Sequence, residues 1–242
     1  MVHSLIRKLE IGNELLEADR TRLKGLVGAT VRILPRQNVI DEDDIPGNAH
    51  LVLDGFACRY KVLRDGRRAI LAFLLPGDFC DLHLALLGRM DHAIGTISAC
   101  TFARIPSASI EDLTMNHPRI ARALWWSTLW DEAIMREWLA SMGQRAAGPQ
   151  LAHLICELFI RLQITGNVID NSFAFPFTQE ELGDTLGISS VHVNRVLQQL
   201  REKALIILHA RRLTILDSQR LLKFAGFKSS YLHIPAQRPT EA

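Results

Sequence analysis

The stretch from Thr178 to Ile206 constrains this chain more than any other. It reads TQEELGDTLGISSVHVNRVLQQLREKALI. Thr178 and Glu181 stand at the spacing of a capping box, which predicts a helix start there. Leu182 and Leu186 are the expected buried pair of that helix, and Gly187 suits the left-handed position that stops it. Ser189 is placed to cap a second helix. In it Val193, Val196, Leu197 and Leu200 fall at i, i+3, i+4 and i+7, one buried face. Two short helices joined by a glycine-containing turn predict a helix-turn-helix.

The opposite face of the second helix carries Val191, Arg195 and Gln198, with Asn194 on its flank and Ser190 and His192 in the first turn. A valine has no reason to face water at a helix start, but it fits a thymine methyl in a major groove. Arg195 has the fork geometry for guanine O6 and N7. Asn194 could meet adenine or a phosphate. Thr178, Gln179, Ser189 and Ser190, with the helix N-terminal amides, suit phosphates. Two strand-like runs follow, Leu205–Leu208 and Leu213–Leu216. The segment between them, His209-Ala210-Arg211-Arg212, reads as a wing that brings Arg211 and Arg212 to a duplex backbone.

Upstream the periodicity is different. Residues 1–28 read as short helices with apolar Leu15, Leu16, Leu23 and Leu26. From Val31 to Val62 short apolar runs are broken by Pro35, Pro46-Gly47 and Asp54-Gly55. Asp65-Gly66 lies between the runs 56–63 and 68–75, a hairpin signature. Pro76-Gly77-Asp78-Phe79 makes a turn, a short helix follows over 82–87, and His92–Ile105 is strand-like until Pro106. Many short strands at regular spacing predict a β-roll or barrel. From Asn116-His117-Pro118 to Met142 no glycine or proline intervenes, and all four tryptophans lie within this long helix. Its stripe Ile120, Leu124, Met135, Trp138 and Met142 is read as a dimer interface. Gly143 and Gly148-Pro149 are expected to interrupt the helix. Leu151–Leu162 is a further helix and Phe173–Phe177 a short strand.

The fold class expected is α+β, with a β-roll over 1–115, a long dimerisation helix over 116–143, a winged helix-turn-helix over 144–228 and a tail over 229–242. The chain is 48% hydrophobic and 22% charged, which suits a globular protein with a core. A net charge of +2 does not by itself argue for nucleic acid. The split is more informative: residues 1–143 hold 17 Lys and Arg against 18 Asp and Glu, and residues 144–242 hold 11 against 8. The start lacks the apolar core of a signal peptide and no run is long enough to span a membrane. A cytoplasmic protein without membrane partners is expected. Cys58, Cys80, Cys100 and Cys156 are scattered and read as small buried hydrophobes.

Over residues 20–225 the chain resembles the Crp–Fnr family of bacterial regulators. The β-roll pattern with Pro76-Gly77-Asp78-Phe79, the long helix, Gly143-Gln144-Arg145 at the hinge and the winged helix come in the family's order. Thr178 to Gly183 and Ser189 to Arg195 match its DNA-reading unit. The resemblance implies a transcription regulator and not an enzyme, a homodimer on a near-palindromic site, and recognition helices in major grooves about 34 Å apart. It implies Arg195 as the base-reading arginine, and RNA polymerase as a partner where the protein activates. One branch of the family carries an acidic base-reader where this chain has Val191, so its half-site is expected to differ.

The front departs from the cyclic-AMP-binding members. Where they carry Gly-Glu and then Arg-Ser/Thr, this chain has Asp81-Leu82 and Ala93-Ile94, with Arg89 the nearest arginine, and Ala133–Met135 has no hydroxyl. A buried phosphate with no cationic partner is costly, so cyclic AMP is not expected. An iron–sulfur cluster is not expected either, for want of the cysteine cluster. The effector is left open, and no cofactor is the first expectation. Cys80, Asp81, Leu82, His83, Arg89 and His92 are the candidate pocket residues, with haem or small-molecule sensing through Cys80 and His83 as an alternative. A cupin-like metalloenzyme is the more distant one; His83 and His92 lack the carboxylate of the usual ligand set.

Overall fold

The computed structural model describes residues 2–82 and 84–234. The candidate effector residue His83 and the expected polar tail from Gln237 lie outside the described residues. Helices α1 (His3–Leu9) and α2 (Glu17–Gly25) precede seven strands: β1 (Thr30–Ile33), β2 (Asn38–Ile40), β3 (Asn48–Asp54), β4 (Ala57–Val62), β5 (Arg68–Leu74), β6 (Ala93–Thr96) and β7 (Cys100–Pro106). A short helix, α3 (Leu84–Leu87), lies between β5 and β6. The strands form two antiparallel sheets, ordered β1-β7-β3 and β2-β6-β4-β5. Val52, Cys100 and Phe102 of the first meet Ile40, Ala57, Leu74 and Ile94 of the second in a closed core. This is the expected β-roll. The β4–β5 hairpin turns at Asp65-Gly66, where Gly66 takes φ +82°. The stretch read as one strand over 92–105 is two, β6 and β7, and β7 crosses to the other sheet.

Helix α4 (Ser107–Asn116) was not expected. Pro106 ends the strand, and only Ile110 and Leu113 of the next ten residues are buried, too few for a stripe to be visible in sequence. Helix α5 runs Pro118–Gln144, 27 residues, about 40 Å at 1.5 Å per residue. Pro118 occupies its first turn, and His117 makes no side-chain cap. Gly143 lies inside α5. Gly148-Pro149 does not interrupt it either, because that pair sits in the first turn of α6 (Ala147–Thr165), where a missing N–H costs nothing. The chain turns at Arg145-Ala146.

The C-terminal part comprises β8 (Ser172–Ala174), α7 (Gln179–Leu186), α8 (Ser190–Glu202), β9 (Ile206–His209), β10 (Arg212–Ile215), α9 (Ser218–Ala225) and a 3-10 turn over Ser229–Leu232, with the strands ordered β8-β10-β9. Its core does not stop at the domain boundary. Leu151, Leu158, Phe173, Leu182, Val193 and Leu213 belong to one cluster with Trp130, Ile134 and Trp138 of α5 and Tyr60, Ile70 and Phe73 of the β-roll. The winged helix is therefore packed directly onto the hairpin sheet. Helix α1 reinforces the junction. Its backbone crosses Gly77, where a Cβ would come within 2.8 Å of the Ser4 carbonyl carbon, and Gly77 has φ +99°. Only glycine fits there.

The dimer stripe needs correction. Ile120, Leu124 and Trp138 are buried inside the chain, at 0%, 2% and 8% exposure. Trp138 donates to Glu157 Oε2 at 3.0 Å and stands edge-on to Phe73. Met135 and Met142 lie at the border of that face and are half exposed. The apolar face left open is Trp125, Leu129 and Leu139, at 66%, 44% and 67% exposure. The stripe read as an interface is therefore largely spent inside the chain. Both faces are apolar, and only the packed β-roll and α6 decide which one is already used.

Candidate nucleic-acid interface and effector cavity

The two helices of the reading unit form as the side chains dictate. Thr178 Oγ1 accepts from the Glu181 N–H at 3.1 Å, and Glu181 Oε2 accepts from the Thr178 N–H at 2.7 Å. Gly187 ends α7 in the left-handed conformation, and Ser189 caps α8 by accepting from the His192 N–H at 3.3 Å. At Gly183 a Cβ would sit 2.6 Å from the Ile188 carbonyl oxygen, so glycine sets how closely the inter-helix turn approaches α7. Val193, Val196, Leu197 and Leu200 are buried, whereas Ser190, Val191, His192, Asn194, Arg195 and Gln198 are exposed, Val191 at 61%. Gln179 and Ser189 are exposed beside them, and Thr178 is half-buried. The wing is shorter than expected. His209 and Arg212 pair across β9 and β10, and only Ala210 and Arg211 turn, at φ 47° and 58°. A two-residue hairpin with both residues at positive φ follows the strand twist. It carries Arg211 to the tip, with Arg212 exposed next to it.

The reading unit borders the β-roll. Arg68 Nε on β5 lies 2.9 Å from Asp184 Oδ2 on α7, and Arg36 Nε lies 3.9 Å from Glu181 Oε1. A polar groove of about 910 Å³ runs along this seam between Arg36, Arg67, Thr178 and Ser189.

A second cavity, about 350 Å³, lies between the β-roll and α5, lined by Arg59, Phe73, Leu82, His92, Asp131 and Arg161 among others. Of the five candidate pocket residues that are described, Leu82 and His92 line it. Cys80 is fully buried between the two sheets. Asp81 turns inward, accepting from the His50 N–H and meeting its Nδ1, each at 2.7 Å. Arg89 is exposed and 3.6 Å from Asp43. Burial pushes the thiols of Cys58, Cys100 and Cys156 up to about 12 and that of Cys80 well above its usual value. At neutral pH, with no metal bound, these are thiols. Among the described residues no group of three His, Cys, Asp or Glu side chains is placed to hold a metal ion.

Sequence reading missed the groups that govern this cavity. Lys8 on α1 is 1% exposed, and its Nζ lies 2.8 Å from Asp78 Oδ1 and 3.4 Å from Asp131 Oδ1. Arg161 on α6 reaches Asp78 Oδ2 at 2.8 Å, the Phe73 carbonyl at 3.0 Å and Glu157 Oε1 at 3.2 Å. Burial raises the Asp78 carboxyl, but Lys8 and Arg161 outweigh it and hold it below the ordinary value; Glu157, with one cation, is raised by burial. One signal was available: Lys8 stands between Leu5 and Leu9, on the apolar stripe of its helix.

His153 on α6 is buried near the hinge, with Nε2 3.3 Å from Glu137 Oε1 and the ring against Phe227 and Tyr231. Burial, then the Arg145 charge, pushes its pKa down to about 4. The unfolded chain takes up this proton near the unperturbed 6.5 and the folded chain only near 4, so stability falls as pH drops through that window. The loss reaches about 3 kcal/mol at its foot, at 1.36 kcal/mol per pKa unit. Urea midpoints at pH 7 and pH 5 measure it, and His153→Leu is expected to flatten the slope.

The sequence pattern of a Crp-like helix-turn-helix domain matches residues 149–224, and that of a cyclic nucleotide-binding domain matches residues 30–117. The chain belongs to the Crp–Fnr family. It is 29% identical over 215 residues to the nitrogen fixation regulation protein FixK of Bradyrhizobium diazoefficiens, covering 87% of this chain and 88% of that one. It is 27% identical over 222 residues to the transcriptional activatory protein AadR of Rhodopseudomonas palustris, covering 90% of each. The structure of FixK2 from Bradyrhizobium japonicum superposes with a TM-score of 0.75 at 26% identity, covering 84% of this chain and all of that one. This Crp–Fnr protein is a DNA-binding transcription regulator, and the metalloenzyme alternative is set aside because its relatives are regulators. Among the described residues no helix is long and apolar enough to cross a membrane.

Proposed function

We infer that this regulator binds a near-palindromic DNA site as a homodimer, each α8 reading one half-site from a major groove. The observation that carries this is the divided surface of α8. One side is locked into the core, and the other exposes Val191, Asn194, Arg195 and Gln198, whose side chains make no hydrogen bond or ion pair among the described residues. Arg195 is the base-reading fork and Val191 the methyl contact. Thr178, Gln179, Ser189, Ser190 and His192 surround the helix N-termini that meet phosphates, and Arg211 and Arg212 touch the flanking backbone. Trp125, Leu129 and Leu139 form the seam between protomers, flanked by Met135 and Met142. A contiguous apolar helix face of this kind is a protein-binding surface. A cytoplasmic location follows from the DNA target. Activation, the role in AadR's name, brings RNA polymerase as a further partner.

Arg195→Ala is expected to cost about 1–3 kcal/mol of discrimination per half-site between the best site and a scrambled duplex, the worth of one bidentate base contact. Arg211→Ala is expected to weaken every sequence alike and lower the salt slope by roughly one ion per protomer. Competition binding with both duplexes separates the two. An unchanged site preference in the Arg195 variant refutes the base-reading role.

A further inference from the structure

The cavity between the β-roll and α5 contains charges that already balance. Around it lie three cations, Lys8, Arg59 and Arg161, and three carboxylates, Asp78, Asp131 and Glu157, joined at 2.8–3.4 Å. Of these carboxylates only Asp131 lines the open space. It stands on α5, and its Oδ2 is 3.2 Å from both Nη1 and Nη2 of Arg59. Arg59 also donates to the Phe79 carbonyl at 2.9 Å and the Cys80 carbonyl at 3.3 Å. Its position is on β4, so the Asp131 pair joins the long helix to the β-roll, and through Lys8 to α1. Glu132 and Asp91 at the mouth add exposed negative charge.

Deepening the proposed regulatory function, on which it rests, we propose that Asp131 is a built-in anion: it takes the place between α5 and the β-roll cations that a bound anionic effector would fill, and so frees DNA binding from such an effector. Among the described residues an incoming phosphate or carboxylate meets no cation without a carboxylate partner, and to bind it has to displace Asp131 or share the site with it. Two like charges at that distance do not both stay ionised. Removing Asp131 leaves two buried cations and the partly buried Arg59 against two carboxylates, and such an imbalance draws an anion from solution. The side chain is 23% exposed, so a small anion can reach the vacated position.

The experiment has one arm on the unaltered protein and one on variants. Thermal midpoints of the wild-type chain are expected not to move with millimolar formate, inorganic phosphate or cyclic AMP beyond the shift given by chloride at equal ionic strength. Asp131→Ala is expected to lose DNA affinity roughly 5- to 150-fold, the ordinary size of a coupling between sites. Formate, but not chloride, is expected to restore most of that loss, and to raise the variant's midpoint. Asp131→Asn, which keeps the shape without the charge, is expected to lose affinity to the same extent. A wild-type midpoint that rises with phosphate or cyclic AMP overturns the proposal without any variant. So does an alanine variant that binds DNA like the wild type, or one that formate does not rescue. A wild-type protein that binds no duplex refutes the proposed function instead, and its thermal response to anions still judges this inference.

Discussion

A Leu139→Asp chain is expected to sediment as a monomer at concentrations where the wild type is a dimer. Leu139 is two-thirds exposed on α5, in line with Trp125 and Leu129 and away from every element that packs on this helix within the chain. In the proposed pairing each substitution puts an unpartnered carboxylate into an apolar seam, once per protomer, at a cost of several kcal/mol each. The fold of the single chain is expected to be unaffected, since the side chain touches water there. DNA binding is expected to suffer more than any base contact could explain. Two tethered half-site readers gain roughly 10²- to 10⁴-fold over either alone, and separation forfeits that gain. Trp138→Asp is the contrasting variant. It places a charge beside Phe73 and Glu157 in the interior, and is expected to unfold the chain and not merely to separate protomers. A Leu139→Asp protein that remains dimeric would remove this face from the interface.

The second large effect is expected at Arg161. Arg161→Met keeps most of the side-chain volume but takes the cation from between Asp78 and Glu157, all three nearly inaccessible. Breaking a buried pair by removing one partner costs about 3–5 kcal/mol, because the remaining charge is stranded. Asp78 keeps Lys8. Among the described residues Glu157 keeps the Trp138 indole and the Tyr231 hydroxyl, at 3.0 and 3.1 Å. Glu157 already has a raised pKa from burial, and losing Arg161 raises it further. The variant can relieve itself by protonating Glu157, so the deficit in urea unfolding is expected to shrink as pH is lowered toward 5. Arg161→Met with Glu157→Gln is expected to regain part of the loss and to lose that pH dependence. An equal deficit at all pH values would place the cost in packing instead.

Much of the reading unit was legible in sequence because its determinants are local. The Thr178–Glu181 box, the cap at Ser189 and the i, i+3, i+4, i+7 spacing from Val193 to Leu200 each involve residues within two helical turns. Every one forms as the spacing requires. The hairpin at Asp65-Gly66 was legible for the same reason. Helix α4 was not, since a proline before it and a sparse stripe within it outweighed its two buried residues. The candidate pocket went astray because proximity in sequence was taken for proximity in space. Cys80, Asp81 and Arg89 are near neighbours along the chain, yet one faces the sheet core, one meets His50 and one meets Asp43.

By itself the sequence determined the order of the elements other than α4 and the break between β6 and β7, the capped helix pair, and which face of α8 stays out of the core. These depend on short-range sterics, hydrogen bonds and periodicity, which any segment carries with it. Only the tertiary structure decided which of two apolar faces of α5 is spent internally, and that Lys8, Arg59, Asp78, Asp131, Glu157 and Arg161 converge. Those outcomes depend on distances between residues up to 153 positions apart, from Lys8 to Arg161, which no local pattern encodes. A charge's partner in a core is selected by the packing of whole layers.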